Sequence, residues 1–245
     1  CGRVCPYPCE TSCNRAKKDL NAVNIAAFER WLGDYGIEHN LEHKKLISSS
    51  IDRHIAVIGA GPAGLSCAFQ LARRGYAVTV FEALGEPGGM LRYGIPAFRL
   101  PRAILDAEIK AITQMGVEIV CNHVVGKESD LQEIHHRFDA VFLGVGAHQG
   151  IELDLAGQDA SNVLSGITFL RRINSGESMD IGNRVVVAGG GNTAITAARA
   201  ARRLGAKVTI IYRLDIFSTC KDNSVQLGYN LTQYFYIIRY RYHVR

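Results

Sequence analysis

Two glycine-rich turns, opening at Gly59 and Gly189, each sit between a β-branched run and a helix rich in small residues. A strand, a tight turn, a helix and a second strand are the parts of a βαβ unit that seats a dinucleotide pyrophosphate. The first turn lies in Ile55-Ala-Val-Ile-Gly-Ala-Gly-Pro-Ala-Gly64, followed by a helical stretch to Arg74, then Gly75 and the strand Ala77–Phe81. Gly59 permits the sharp turn and Gly61 lets backbone N–H groups approach phosphates. Pro62 and Ala63 lead into the helix, and Gly64 packs it against the strand. Glu82 stands at the strand tip, where a carboxylate accepts hydrogen bonds from a ribose 2′-OH.

The second turn reads Arg184-Val-Val-Val-Ala-Gly-Gly-Gly-Asn-Thr-Ala194, then a helix through Arg203, Gly205 and the strand Lys207–Tyr212. Gly189 and Gly191 take the turn and phosphate-approach roles, Asn192 and Thr193 open the helix, and Ala194 replaces the third glycine. Arg213 stands after the strand instead of a carboxylate, which suits a 2′-phosphate and argues for NADP over NAD. These two units make the fold class α/β, with two Rossmann-like units of parallel, three-layer architecture.

With 245 residues, 47% of them hydrophobic, the chain is long enough for one large or two modest cores. No apolar run approaches the roughly 20 residues of a membrane span, and no signal-peptide core opens the chain, so the expectation is cytoplasmic. The net charge of +5 is scattered over helices, which explains attraction to anionic nucleotides without a nucleic-acid stripe.

Four of the seven cysteines are Cys1, Cys5, Cys9 and Cys13, with Pro6 and Pro8 among them. The prolines break a continuous helix and fold the segment back, so that its sulfurs can converge. Thiolate ligands without histidine fit zinc or an iron–sulfur cluster, and adjoining redox nucleotides favour the cluster. The chain starts at Cys1 rather than Met, so an upstream part is expected.

The reading divides the chain into a helical Cys-rich segment at 1–50, a first dinucleotide unit at 51–150 and a second at 151–245. A helix from Asp19 to Gly36, with an apolar face carrying Trp31, is expected to pack the cysteine loop onto the body. Glu38 to Arg53 reads as a linker. Gly85 to Pro101 is too long for a simple turn and reads as a loop over a flat ring system, Gly88 and Gly89 allowing close backbone approach. Phe138 to Ala147 reads as a buried strand whose small residues, Gly146 among them, let backbone pass a nucleotide.

Cys1-Gly-Arg-Val-Cys-Pro6 with Cys9 and Cys13, Gly59–Gly64, Gly88–Pro101, and Gly189–Ala194 with Tyr212-Arg213 together carry a family pattern. The chain resembles the small, NADPH-dependent subunit of glutamate synthase, the flavoprotein subunits of NADH-dependent ferredoxin:NADP oxidoreductase and the N-terminal part of dihydropyrimidine dehydrogenase. The resemblance implies FAD at the first turn with Gly89, Leu91 and Tyr93 as its neighbours, and NADPH at the second. It also implies 4Fe-4S clusters and a partner redox subunit or ferredoxin as electron acceptor, with no acid–base side chain required.

The chain departs from the family at Thr196, where an aspartate is usual, and at Leu214, where a second arginine is usual. It also lacks the later segment that closes the FAD domain, which implies a truncated C-terminal part. A non-catalytic fragment binding nucleotide and zinc is the alternative. Residues 214–245 do not share the resemblance. Their alternation from Tyr234 to His243 reads either as a partner-binding strand edge or, preferably, as an incomplete end with strand periodicity.

Overall fold

The computed structural model describes residues 2–19, 21–150, 156–212 and 236–240. It divides into two compact units, one of Cys1–Arg92 with Ala97–Gly146 and one of Tyr93–Pro96 with Ala147–Arg245.

The first unit opens with helices α1 (Pro8–Thr11), α2 (Asn14–Asp19) and α3 (Ile25–Glu38). Tyr7 turns the chain with a left-handed φ of 51°. Pro8 then starts α1 at the position where its missing N–H costs nothing. α3 begins later than the sequence pattern predicts, because the Asn24 side chain accepts the Ala27 N–H and caps it.

Three contacts hold the cysteine segment to α3. A Cβ on Gly2 would lie 2.6 Å from the Ala26 carbonyl, Arg3 pairs with Asp34 at 2.6 Å, and Glu10 accepts the Ala26 N–H at 2.7 Å. The expected apolar contact is not the one that does this. Trp31 is 57% exposed, and Phe28, Trp31, Tyr35 and His39 instead stack along the helix surface.

The first sheet contains β1 (Ile51–Ile58), β2 (Tyr76–Phe81), β3 (Val117–Val120) and β4 (Ala140–Leu143), all parallel in the order β3-β2-β1-β4. Its crossovers include α4 (Pro62–Ala72), α5 (Met90–Tyr93), α6 (Arg102–Thr113) and α7 (Glu128–Arg137). Strand alternation sends Val57, Val78 and Val80 toward Leu65, Ala68, Leu105 and Ile109, while Ala56, Ile58 and Phe81 meet Ile134 and Phe138. Covering both faces gives the three layers that the β-branched runs require.

β1 starts before Ile55, through a register irregularity between Ile51 and His54 that accommodates the polar pair Asp52-Arg53. The expectation of a buried strand at Phe138–Ala147 is not met. Among the described residues β4 lies at the sheet edge with a neighbour on one side, and Leu143 is 61% exposed.

The second unit contains β5 (Val163–Ser165), α8 (Gly166–Asn174), β6 (Arg184–Ala188), α9 (Asn192–Arg203), β7 (Lys207–Ile211) and β8 (Tyr236–Tyr240), with strand order β5-β8-β6-β7. The small side chains Ala194, Ala197 and Ala201 bring α9 close to Val185 and Val187, with Phe169 and Leu170 of α8 completing the core. β6 and β7 are parallel as expected, but β8 runs antiparallel to both its neighbours, so this sheet is mixed. β8 also pairs on both sides, which rules out a partner-binding edge there. Alternation marks a strand without encoding its direction or its place in a sheet. No helix among the described residues is long and apolar enough to cross a membrane.

Candidate functional site

At the first turn, β1 ends and Gly59 reverses the chain with a φ of 100°, while its N–H donates to the Phe81 carbonyl at 2.7 Å. Gly61 is extended and precedes α4, with Pro62 at the first helical position and Ala63 exposed beside it. No side chain caps α4, which leaves the positive end of its dipole available to an anion. Gly64 sits where a Cβ would lie 1.8 Å from the Gly59 carbonyl oxygen. Only glycine permits this spacing of helix and strand.

Glu82 is 5% exposed. One carboxylate oxygen accepts the Ala60 N–H at 2.7 Å and the other accepts the Leu84 N–H at 2.9 Å. The Ala60 carbonyl in turn accepts the Gly88 N–H at 2.8 Å. Ala60, the residue at the centre of the turn, is therefore held through both its N–H and its carbonyl, by the strand-tip carboxylate and by the glycine loop. Each carboxylate oxygen retains a lone pair for a further donor.

The glycine loop reaches the turn itself. Gly88 and Gly89 both have positive φ, and a Cβ on Gly89 would lie 2.7 Å from the Gly61 Cα. Leu91 is half-buried against the core and donates its N–H to the Gly88 carbonyl. Arg92, not anticipated from sequence, is buried; its Nε donates to the Pro87 carbonyl at 2.6 Å and its guanidinium pairs with Glu86 and Asp106. Sequence alone shows no acceptors around it, because Glu86 and Asp106 reach it only in the fold.

Tyr93 and Gly146 are the two further expected neighbours. Tyr93 is buried in the second unit, where its carbonyl accepts from Asn174 at 2.9 Å. Gly146 is exposed, and the small residue that meets the turn is Gly144, whose carbonyl oxygen would lie 2.5 Å from a Cβ on Gly59.

The second turn repeats the first. Gly189 has a φ of 123° and donates to the Ile211 carbonyl at 2.7 Å, and Gly191 precedes α9. Asn192 and Thr193 form its first turn and Ala194 is fully buried. Thr196 is buried and donates its hydroxyl to the Asn192 carbonyl at 2.6 Å. Gly59 pairs with Phe81 and Gly189 with Ile211, so the counterpart of Glu82 is Tyr212. Arg213, assigned to that place from sequence, stands one residue further and lies outside the described residues.

Cys1 also lies outside them. Cys5, Cys9 and Cys13 are free thiols, and among the described residues no three His, Cys, Asp or Glu side chains are gathered to hold a metal ion. Backbone N–H groups, first that of Val23 and then those of Ala16 and Arg15, hold the Cys13 thiol below its usual range. Burial pushes Cys67 and Cys121 upward, and Glu82 and Glu86 add to this at Cys121.

Since the thiolate is the nucleophile, iodoacetamide should label Cys13 faster than Cys67 or Cys121 near pH 7. Its advantage should fade as pH rises past the ordinary thiol value of about 8.5. Peptide mapping after timed labelling measures this, and equal rates at the three sites would contradict it.

A family model described as pyridine nucleotide-disulphide oxidoreductase matches residues 53–230. The chain is 44% identical over 219 residues to the NADPH-Fe(3+) oxidoreductase subunit beta of Geobacter sulfurreducens, covering 87% of this chain and 32% of that protein. It is 39% identical over 229 residues to the glutamate synthase [NADPH] small chain of Escherichia coli K12, covering 88% and 48%. It thus spans about a third of the one relative and about half of the other. Among solved structures, Mycobacterium tuberculosis FprA in complex with NADPH aligns with a TM-score of 0.53 at 28% identity, over 60% of this chain and 36% of that one.

Proposed function

The chain belongs to the pyridine nucleotide-disulphide oxidoreductase family, and from that premise we propose that it is the nucleotide-binding core of an FAD-dependent NADPH oxidoreductase. FAD would lie on Gly59, Gly61, Pro62, Ala63 and Gly64, with the glycine loop over it and the remaining acceptors of Glu82 toward its ribose. NADPH would lie on Gly189, Gly191, Asn192, Thr193 and Ala194, with Arg213 toward its 2′-phosphate. The observation that carries the reading is Ala60, held by its N–H to Glu82 and by its carbonyl to Gly88. It keeps the turn open in the shape a pyrophosphate needs without waiting for ligand.

When bound, FAD supplies the exchange between a two-electron donor and one-electron acceptors. The chain's own part is binding, orientation and exclusion of water, which needs no acid–base side chain. The subunit status in the relative's name supports a partner subunit, to which, or to a ferredoxin, the electrons would pass. Segments 1–50, 51–150 and 151–245 then divide into cysteine, flavin and nicotinamide parts.

Thiolate ligation of a 4Fe-4S cluster by Cys1, Cys5, Cys9 and Cys13 is the reading their spacing suggests. The described cysteines are not gathered as a ligand set, so they do not fit that group as they stand, and no electron step is assigned to it.

Titration of the purified chain with FAD should quench flavin fluorescence to a stoichiometric end point, and NADPH should then bleach the flavin band under anaerobic conditions. A chain that retains no flavin, or a flavin that NADPH leaves coloured, would refute the proposal. Metal analysis after incubation with iron and sulfide separates the cluster from zinc.

A further inference from the structure

Resting on the second turn as a nicotinamide-nucleotide seat, we infer that Tyr212, through its packing on Gly190, sets the preference of that seat for NADPH over NADH. The two turns close on the same hydrogen bond, Gly59 to Phe81 and Gly189 to Ile211, both at 2.7 Å, so they can be compared position by position. The middle residue is Ala60 in one and Gly190 in the other. The residue after the second strand is Glu82 in one and Tyr212 in the other.

These pairs are matched in size and chemistry. At the first turn a methyl group stands in the middle, and the carboxylate reaches past it to the Ala60 N–H. At the second, a Cβ on Gly190 would lie 2.6 Å from Cγ and one Cδ of the Tyr212 ring. The ring therefore covers the middle of the turn and needs glycine beneath it.

The exchange changes what a bound ribose meets. A strand-tip carboxylate accepts from a 2′-OH and repels a 2′-phosphate. The ring supplies no carboxylate charge, and it is 43% exposed, a platform for sugar or base. Arg213 follows directly in sequence, and Tyr212 is the first residue past the strand.

Binding of NADPH and of NADH to the full chain, followed by titration calorimetry and nicotinamide fluorescence, tests the inference. Wild type should bind NADPH the more tightly. Tyr212→Glu should lower the NADPH-to-NADH affinity ratio by about tenfold or more, since a like charge then faces the 2′-phosphate. Tyr212→Phe keeps the ring and should keep the preference. Gly190→Ala should weaken both nucleotides by displacing the ring, and adding Tyr212→Glu should recover NADH, because the first turn's Ala–Glu pair is then rebuilt.

An unchanged ratio in Tyr212→Glu, with a native circular dichroism spectrum, would overturn the inference, as would an equal loss in Tyr212→Phe. A wild-type chain that binds neither nucleotide would overturn the nicotinamide reading and this inference with it. That failure is distinct from a wild type that prefers NADPH while its ratio ignores residue 212.

Discussion

Gly64→Val is expected to collapse the first turn, abolish flavin retention and lower the melting temperature by roughly 6–12 °C, the equivalent of about 3 kcal/mol in a chain of this size. The added Cβ would lie 1.8 Å from the Gly59 carbonyl oxygen, which is backbone and cannot swing aside. Gly59 is itself fixed, by its hydrogen bond to Phe81 and by the Gly144 carbonyl against it. α4 must therefore move off β1, and its next residues, Leu65 and Ala68, belong to the buried core and would move with it. Alanine carries the same Cβ and should fail in the same direction. Ala194 at the corresponding place of the second turn shows that the constraint lies in the spacing of this helix and strand. Differential scanning fluorimetry with a flavin-retention assay reads both effects, and a variant melting within a degree or two of wild type would contradict the packing described.

Glu82→Ala should produce the second largest effect, visible before any cofactor is added. It removes the acceptor of two backbone N–H groups, Ala60 at 2.7 Å and Leu84 at 2.9 Å, in a region where Ala60 is fully buried. An unsatisfied buried donor costs about 1–3 kcal/mol and the half-buried Leu84 N–H costs less, so the loss should reach about 2 kcal/mol. Glu82→Gln retains one accepting oxygen and should fall between alanine and wild type. Urea denaturation of the cofactor-free protein measures the difference. If Glu82 served a ribose alone, its loss would weaken FAD and leave the free protein as stable as before; that outcome would sink the structural role.

The glycine turns were readable because their requirement is local: a positive φ or a missing Cβ can be met by one residue type, and sequence displays it directly. The loop at Gly88 and Gly89 was readable for the same reason, and it does approach Gly61. What escaped notice depends on partners distant in sequence. Arg92 looks like any surface arginine until Pro87, Glu86 and Asp106 surround it. Gly144 and Gly146 are indistinguishable as letters, and strand pairing decides which one faces Gly59. The residue that corresponds to Glu82 is Tyr212, because the register is set by the bond from Gly189 to Ile211, and sequence does not display that bond. α3 was placed too early, since the cap at Asn24 outweighs the apolar pattern that begins at Val23.

Among the described residues, the outer strands β4 and β7 both finish in branched side chains open to water, with Leu143 and Ile211 each about 60% exposed. An apolar strand at the rim of a sheet offers its unused backbone groups to any similar strand it meets. The consequence is colloidal. In concentrated solution the chain should self-associate through these rims before it unfolds, and a fouled preparation would report on edge chemistry while the glycine turns within it remain intact.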